Sequence, residues 1–308
     1  MLKTYSKDFK YVQNLIESYH THNADDITLY ILAPKEDNAL FSQFSCATIV
    51  VVSEETIPVR YFETSLGEIS KGYLNQQVVK LAFWKLGLCE NYLCLDSDVV
   101  FIRNFGYSDF LTPSGQPYTV LIEDRDLQSD PEYYAAQWQD RSESLQKIQE
   151  YLGFDKHLKL QTCHGMQIFS SLVLAKMEAE LLEKQGLKYI DLLTISGYEF
   201  SWYNYYLQGL DAKIYTREPY FKLYSSPRAL IRDQVLGVTL EDLARGYLGL
   251  IINSNLGKSR EIPVSYNPPL LKYLLGQYVS LPTLVASVIL GMKRIPAIIT
   301  QRFFKRTS

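Results

Sequence analysis

The chain has 308 residues, an apolar fraction of 47% and a formal net charge of −3 at pH 7. This length suits one large α/β domain with an appendage, or two domains, and the apolar fraction supports a sizeable core. The slightly acidic balance gives no case for nucleic-acid binding, so nucleic acid is excluded as a partner. The 24 tyrosines suit sugar binding, and they suit a β-rich core equally well.

The four cysteines, Cys46, Cys89, Cys94 and Cys163, form no CxxC pair, so a thiolate zinc site is not expected. Cys46, Cys94 and Cys163 lie in apolar runs, which predicts buried thiols and fits a reducing compartment. The N-terminus has no apolar stretch typical of a signal peptide. We therefore expect a cytoplasmic protein.

Strands and helices alternate at the start of the chain. A short strand over residues 1–5 leads into a helix over 8–21, whose apolar residues recur at helical spacing. Strands over 27–32 and 47–52 follow, with a short helix between them. This alternation predicts an α/β fold with a mixed, mainly parallel sheet flanked by helices.

An acidic stretch follows a helix predicted over residues 70–88. Residues 92–102 form an apolar, strand-like run that contains Asp96 and Asp98. Burying two unpaired carboxylates is costly, so we expect a cation to meet them at the exposed end of the strand, where ligands gather in open α/β sheets. Carboxylate oxygens suit Mg²⁺ or Mn²⁺, which in turn hold phosphates. Alternatively, one aspartate caps a turn and the other pairs with Arg103.

The middle of the chain continues the alternation, with three more strands and two more helices predicted. The strands cover 118–122, 162–169 and 212–224, and the helices cover 172–186 and 200–207. Residues 127–160 are polar and predict a partly helical surface insertion. Ser196 and Glu199 have the spacing of a capping box at the start of the last helix. Glu199 is therefore either a helix cap or a functional carboxylate.

The C-terminal tail differs in composition from the rest. Residues 270–308 contain no Asp or Glu but several Lys and Arg. The apolar run 279–290 is shorter than the roughly 20 residues that span a bilayer. The charge asymmetry predicts that residues 271–308 lie on an anionic membrane surface, at the inner face of the cytoplasmic membrane. A helical hairpin packed on the body or on a second subunit is the alternative.

The motifs, taken in order, resemble a known family. The helix before the acidic stretch reads Gly72-Tyr73-Leu74-Asn75-Gln76-Gln77-Val78-Val79-Lys80-Leu81. The other matching pieces are Lys3-Thr4-Tyr5-Ser6-Lys7-Asp8, the Asp96-Ser97-Asp98 triplet with the Val-Phe-Ile-Arg-Asn-Phe run after it, His164-Gly165-Met166 and Tyr198-Glu199. Over residues 1–225 this order resembles glycosyltransferases of the GT-A fold, and more closely the bacterial glycosyltransferase-like proteins catalogued as a domain of unknown function.

The resemblance implies a fold, an activity and a division of the chain. The activity is a metal-dependent transfer of a sugar from a nucleoside-diphosphate sugar, of the UDP or GDP type, to a saccharide or lipid-linked acceptor in surface polysaccharide biosynthesis. Residues 1–225 form the GT-A-like catalytic domain, residues 226–270 complete the acceptor side, and residues 271–308 are the basic tail.

The resemblance also implies the site residues. Those at the donor are Thr4, Tyr5, Lys7, Gln76, Lys80, Asp96, Ser97, Asp98 and Gly165. Asp96 and Asp98 hold Mn²⁺ or Mg²⁺. Glu199 is the candidate general base, and His164 is an acceptor contact, a third metal ligand or a hydrogen-bonded core histidine. The family often has a second carboxylate where this chain has Gly197, so the identity of the base stays open.

Two rival functions belong to other classes. The Asp-x-Asp-x-Val pattern that begins at Asp96 also fits haloacid-dehalogenase-like phosphatases, in which the first aspartate is a covalent nucleophile. In those enzymes the motif lies on an early strand, whereas here a long α/β segment precedes it. The second rival is a catalytically inactive module that binds glycan or membrane. The intact pair of carboxylates argues against it, because buried charges without a role are costly.

Overall fold

The computed structural model describes most of the first 252 residues, in seven segments. These are residues 1–122, 128, 131–154, 165–224, 229, 232–233 and 236–252. Helices and strands alternate through them, and the predicted α/β fold class, with a mixed and mainly parallel sheet arrangement flanked by helices, is confirmed. The predicted membrane tail over residues 271–308 lies outside the described residues. Within them, no helix has the length and hydrophobicity needed to cross a bilayer.

The described strands are short and arranged in several pairings. They are β1 (Leu2–Lys3), β2 (Leu29–Ala33), β3 (Ile49–Ser53), β4 (Asn91–Leu93), β5 (Val99–Phe101), β6 (Tyr118–Thr119), β7 (Ile168–Ser170), β8 (Tyr215–Thr216), β9 (Phe221–Tyr224) and β10 (Gly249–Ile252). β1, β2 and β3 pair in parallel in that order. β10 pairs in parallel with β9 and antiparallel with β5. β4 and β7 are antiparallel, and β6 and β8 are parallel. The predicted subregion 226–270 thus contributes a strand, β10, to the same sheet as β5.

Helices cover these strands. They are α1 (Phe9–His22), α2 (Asn38–Phe41), α3 (Lys71–Ala82), α4 (Tyr107–Phe110), α5 (Pro131–Leu152), α6 (Ser171–Met177), α7 (Tyr189–Ile195), α8 (Glu199–Gln208) and α9 (Leu240–Ala244). α3 begins where the Ser70 side chain accepts a hydrogen bond from the Tyr73 N–H, an N-cap that satisfies an otherwise unpaired donor. The segment after α3 ends at Gly87, which has a left-handed backbone conformation.

The acidic stretch is not the single strand that its apolar residues predict. β4 ends at Leu93 and β5 begins at Val99, with a single bridge from Leu95 to Leu2 between them, and the two strands have different partners, β7 and β10. Between them, the Leu95 N–H donates to the Met1 carbonyl at 2.8 Å, beside β1. Residues 96–98, called the acidic turn below, lie outside strand pairing, where Asp96 keeps 34% of its side chain exposed. The cost of burying carboxylates accounts for this interruption.

The capping box predicted from Ser196 and Glu199 is wrong. α8 begins at Glu199, its N-cap residue is Tyr198, and no side chain caps it. Ser196 instead ends α7 as its C-cap residue. The Glu199 carboxylate contacts Lys80 at 3.0 Å, so a buried ion pair replaces the local cap.

Two smaller expectations also fail. Cys46 is exposed rather than buried, because it lies in a turn that bridges back to Ile49. Cys94 is buried as predicted, and Cys163 lies outside the described residues. In the described part of the strand predicted over residues 162–169, which begins at residue 165, strand pairing starts at Ile168.

Two large hydrophobic clusters meet at the acidic turn. Leu95 and Val99 pack with α1, the β1–β3 sheet and β9. Cys94 packs into the other cluster, among side chains of α3, α6, α7 and α8. Because Cys94 and Leu95 are consecutive, the turn that follows them lies at the seam between the two clusters. The backbone on both sides of the acidic turn is therefore anchored by close packing.

Candidate active site

A cavity of about 350 Å³ lies beside the acidic turn. It brings together most of the site residues predicted from the sequence, which come from distant parts of the chain. The predicted residues that line it are Tyr5, Gln76, Lys80, Asp96, Ser97, Asp98, Gly165 and Glu199.

Two predicted residues that the structure describes, Thr4 and Lys7, are not part of this lining. Thr4 is buried at the end of β1, and Lys7 is exposed in the turn before α1. His164 lies outside the described residues. Its neighbour Gly165 lines the cavity with a φ of 137°, a backbone conformation that L-residues rarely adopt.

Lys80 is the central cation of the site. Its Nζ lies 2.9 Å from Asp96 Oδ1 and 3.0 Å from Glu199 Oε1, and its side chain is only 3% exposed. The ammonium also lies 4.8 Å from the centroid of the Phe200 ring, within the range of a cation–π interaction. The Tyr92 hydroxyl donates to the Lys80 carbonyl at 2.7 Å and anchors this part of α3. One ammonium thus ties α3 to the acidic turn and to the start of α8.

Burial and the neighbouring carboxylates shift the pKa of Lys80 in opposite directions. Burial alone would lower its pKa, but the carboxylates of Asp96 and Glu199 together raise the pKa of Lys80 above its ordinary value. Lys80 therefore stays charged at neutral pH. The pKa of Glu199 is raised by burial, and Lys80 opposes this rise. Because Glu199 shares the Lys80 ammonium with Asp96, the ammonium offsets only part of the cost of burying the Glu199 carboxylate.

Polar contacts fix the acidic turn from two other sides. The Gln76 Nε2 donates to Asp96 Oδ1 at 3.0 Å, next to the contact from Lys80. The Ser97 hydroxyl donates to Asp8 Oδ2 at 3.1 Å, which ties the turn to the start of α1. The Ser97 hydroxyl is thus engaged by Asp8, and Asp96 and Asp98 on either side of Ser97 line the cavity. These contacts hold the Asp96 carboxylate and the Ser97 side chain in place before any ligand binds.

Sequence reasoning missed several residues of the lining. Arg141 comes from α5, and its guanidinium lies 5.3 Å from the centroid of the Tyr198 ring. The only signal for Arg141 was its place in a polar segment, whereas Tyr73 and Tyr198 stand in the motifs that resemble the family but were given no role. Gln77 and Ser201 also line the cavity, and each lies close in sequence to a residue that had been singled out.

The charges of the lining bear on the predicted metal. Among the described lining residues there are four carboxylates and two cations, Lys80 and Arg141. This excess of negative charge disfavours a diphosphate unless a further cation accompanies it. The described residues contain no group of three acidic, histidine or cysteine side chains that would hold a metal by themselves. Asp96 and Asp98 nevertheless fit Mg²⁺ or Mn²⁺, because such ions are often bound by one or two carboxylates together with substrate phosphates and water.

Comparisons with known proteins agree with the family resemblance. A family model described as "Family of unknown function (DUF6492)" matches residues 2–226. No curated protein matches the chain.

Some solved structures are similar in fold. An active-site mutant of LgtC is 14% identical with a TM-score of 0.45, and the match covers 91% of this chain and 96% of that one. The galactosyltransferase LgtC in complex with donor and acceptor sugar analogues is 12% identical with a TM-score of 0.43, covering 93% and 98%. Mouse xyloside xylosyltransferase 1 is 10% identical with a TM-score of 0.43, covering 82% and 97%. These likenesses are too distant to carry an argument about chemistry, which rests on the site itself.

Proposed function

We propose that this chain, which belongs to the DUF6492 family of unknown function, is a metal-dependent glycosyltransferase. Its donor is a nucleoside-diphosphate sugar of the UDP or GDP type, and its acceptor is a saccharide or a lipid-linked saccharide. One observation carries the proposal: a single cavity holds the Asp96 and Asp98 carboxylates next to the buried Lys80–Glu199 ion pair. Such a site combines a place for a metal diphosphate with a carboxylate that can accept a proton.

The acidic turn is the proposed binding site of the diphosphate and its metal ion. A bound divalent cation stabilises the negative charge that develops on the leaving nucleoside diphosphate. Lys80 and Gln76 orient the Asp96 carboxylate, so it needs no reorganisation when the donor binds. Tyr5, at the end of β1, is 44% exposed and offers an aromatic face for the nucleoside.

Glu199 is the proposed general base. Its carboxylate accepts the proton of the acceptor hydroxyl while that oxygen bonds to the anomeric carbon and the bond from this carbon to the phosphate oxygen breaks. General-base catalysis contributes about 10²–10⁴-fold to such a step. The raised pKa of Glu199 supports the role, because a base works best with a pKa closer to the operating pH. Lys80 holds the carboxylate in position from 3.0 Å.

The proposed setting is surface polysaccharide assembly at the cytoplasmic face of a membrane. The support for it is the composition of residues 271–308, which are basic, apolar and free of acidic side chains. That segment lies outside the described residues. Deleting it should release the protein from anionic liposomes but leave donor binding unchanged, and liposome binding that survives the deletion would refute the membrane contact.

Calorimetry with UDP and GDP, in the presence and absence of Mn²⁺, tests the main proposal. We expect Mn²⁺-dependent binding of at least one nucleotide, and a loss of at least tenfold in affinity in Asp98→Asn, because a metal ligand is removed. Asp211→Asn is the matched control, since Asp211 is exposed and does not line the cavity. Circular dichroism would check that each variant is folded. If the unsubstituted protein binds no nucleoside diphosphate with Mn²⁺, the proposal is wrong.

A further inference from the structure

Two buried polar side chains in the cavity lining lack hydrogen-bond partners within the described part of the chain. Gln77 is 2% exposed and Ser201 is 0% exposed. The Gln77 Oε1 and Ser201 Oγ atoms have no hydrogen-bond partner there. Native proteins pair nearly all buried polar atoms, because an unpaired one destabilises the fold. Both residues line the same cavity, so a ligand bound there can supply the partner that the described part of the chain does not.

The two residues lie close in sequence to the two members of the Lys80–Glu199 ion pair. Gln77 lies three residues before Lys80 on α3, and Ser201 lies two residues after Glu199 on α8. Tyr5 and Asp96 are more exposed than these two side chains. Gln77 and Ser201 therefore belong to the buried part of the lining, whereas Asp96, which we assign to the diphosphate, is partly exposed.

The chemistry of the two atoms selects the ligand. The Gln77 Oε1 can only accept a hydrogen bond, and the Ser201 hydroxyl can donate or accept. A phosphate oxygen without a proton cannot pair with Oε1, and an apolar group can pair with neither atom. A hydroxyl group can pair with both. We propose that Gln77 and Ser201 bind hydroxyl groups of the transferred sugar and so determine which sugar the enzyme accepts, an inference that rests on the proposed function.

The experiment compares nucleotide sugars with the bare nucleotide. Calorimetry with Mn²⁺ gives the affinities for UDP and GDP, and for UDP-glucose, UDP-galactose, UDP-N-acetylglucosamine and GDP-mannose. The informative quantity is the affinity for the best nucleotide sugar divided by the affinity for its nucleotide. We expect Gln77→Met and Ser201→Ala each to lower this ratio about tenfold, the effect of one lost buried hydrogen bond, with nucleotide affinity unchanged.

Stability separates this role from a structural one. Gln77→Met removes an unpaired buried acceptor, so the free energy of unfolding of the unliganded protein should stay the same or rise. Asn204→Leu is the matched control, because Asn204 is also buried with unpaired side-chain atoms but does not line the cavity. Its substitution should leave the affinity ratio unchanged.

The possible negative results of these experiments lead to different conclusions. If Gln77→Met and Ser201→Ala leave the ratio unchanged, the sugar subsite is overturned. A fall in stability alongside that result would identify internal water as the partner of these atoms. If the unsubstituted protein binds no nucleoside diphosphate at all, the proposed glycosyltransferase function is overturned, and the subsite with it.

Discussion

Replacing Lys80 by Met tests whether one ammonium neutralises two carboxylates inside the fold. Methionine keeps an unbranched stem but removes the charge that contacts Asp96 and Glu199. Removing one partner of a buried ion pair destabilises proteins by about 3–5 kcal/mol. Asp96 is one-third exposed and regains water, so most of the loss comes from Glu199, which is 5% exposed.

The protonation of Glu199 limits this loss and makes it depend on pH. In the variant, the folded protein can keep Glu199 neutral, which at pH 7 costs about 3.7 kcal/mol relative to an ordinary glutamate pKa of about 4.3. At pH 5 the same protonation costs only about 1 kcal/mol. Because burial raises the pKa of Glu199, the destabilisation is greatest at neutral pH and shrinks as the pH falls towards the unfolded value.

Urea unfolding followed by circular dichroism at pH 7 and pH 5 measures the effect. We expect Lys80→Met to lose about 3–4 kcal/mol at pH 7 and markedly less at pH 5, and Glu199→Gln in the same chain to restore most of the loss. Lys176→Met is the matched control, since its ion pair with Glu180 is exposed and should contribute no more than about 0.5 kcal/mol. A loss below about 1 kcal/mol at pH 7, or one that does not shrink at pH 5, would refute the reasoning.

Two further predictions concern single positions. Glu199→Gln should lower the turnover of the donor about 10²–10⁴-fold but keep the donor affinity, because only the proton acceptor is lost. The rate of nucleotide release measures this turnover, and undiminished turnover would exclude Glu199 as the base. Gly197→Ala should leave the free energy of unfolding nearly unchanged, because a Cβ there meets its nearest neighbours at 3.9–4.0 Å. Gly249→Ala should lower the free energy of unfolding by at least about 1–3 kcal/mol, because its Cβ would collide with the Val100 carbonyl oxygen. Thermal unfolding of both variants decides this comparison, and equal stabilities would contradict it.

The parts of the structure that depend on local pattern were predictable. The apolar periodicity of α1 and the alternation of β1, β2 and β3 with helices are properties of short segments, and both are confirmed. The acidic pair was recognisable because two carboxylates stood in an apolar run. The interruption of that run was not predicted, because it depends on the different partners that β4 and β5 have far along the chain.

The parts that depend on distant contacts were not predictable. The local spacing of Ser196 and Glu199 favours a capping box, but in the structure the Glu199 carboxylate binds Lys80, 119 positions away, instead. Arg141 has no motif around it and reaches the cavity only because α5 packs beside α8. The assignment of roles to the residues of the cavity remains a prediction.

The long sequence separation between Lys80 and Glu199 also has a consequence for the synthesis of the protein on the ribosome. The two residues are 119 positions apart, and a ribosome adds about 5–20 residues per second, so Glu199 is made about 6–24 s after Lys80. During this interval the nascent α3 cannot bury Lys80 beside both of its carboxylates. α3 therefore lacks its contact with Glu199 until α8 has been made. The Lys80–Glu199 ion pair can form only after both residues have been made, so a chain truncated before α8 would lack part of the cavity lining and the contact between α3 and α8.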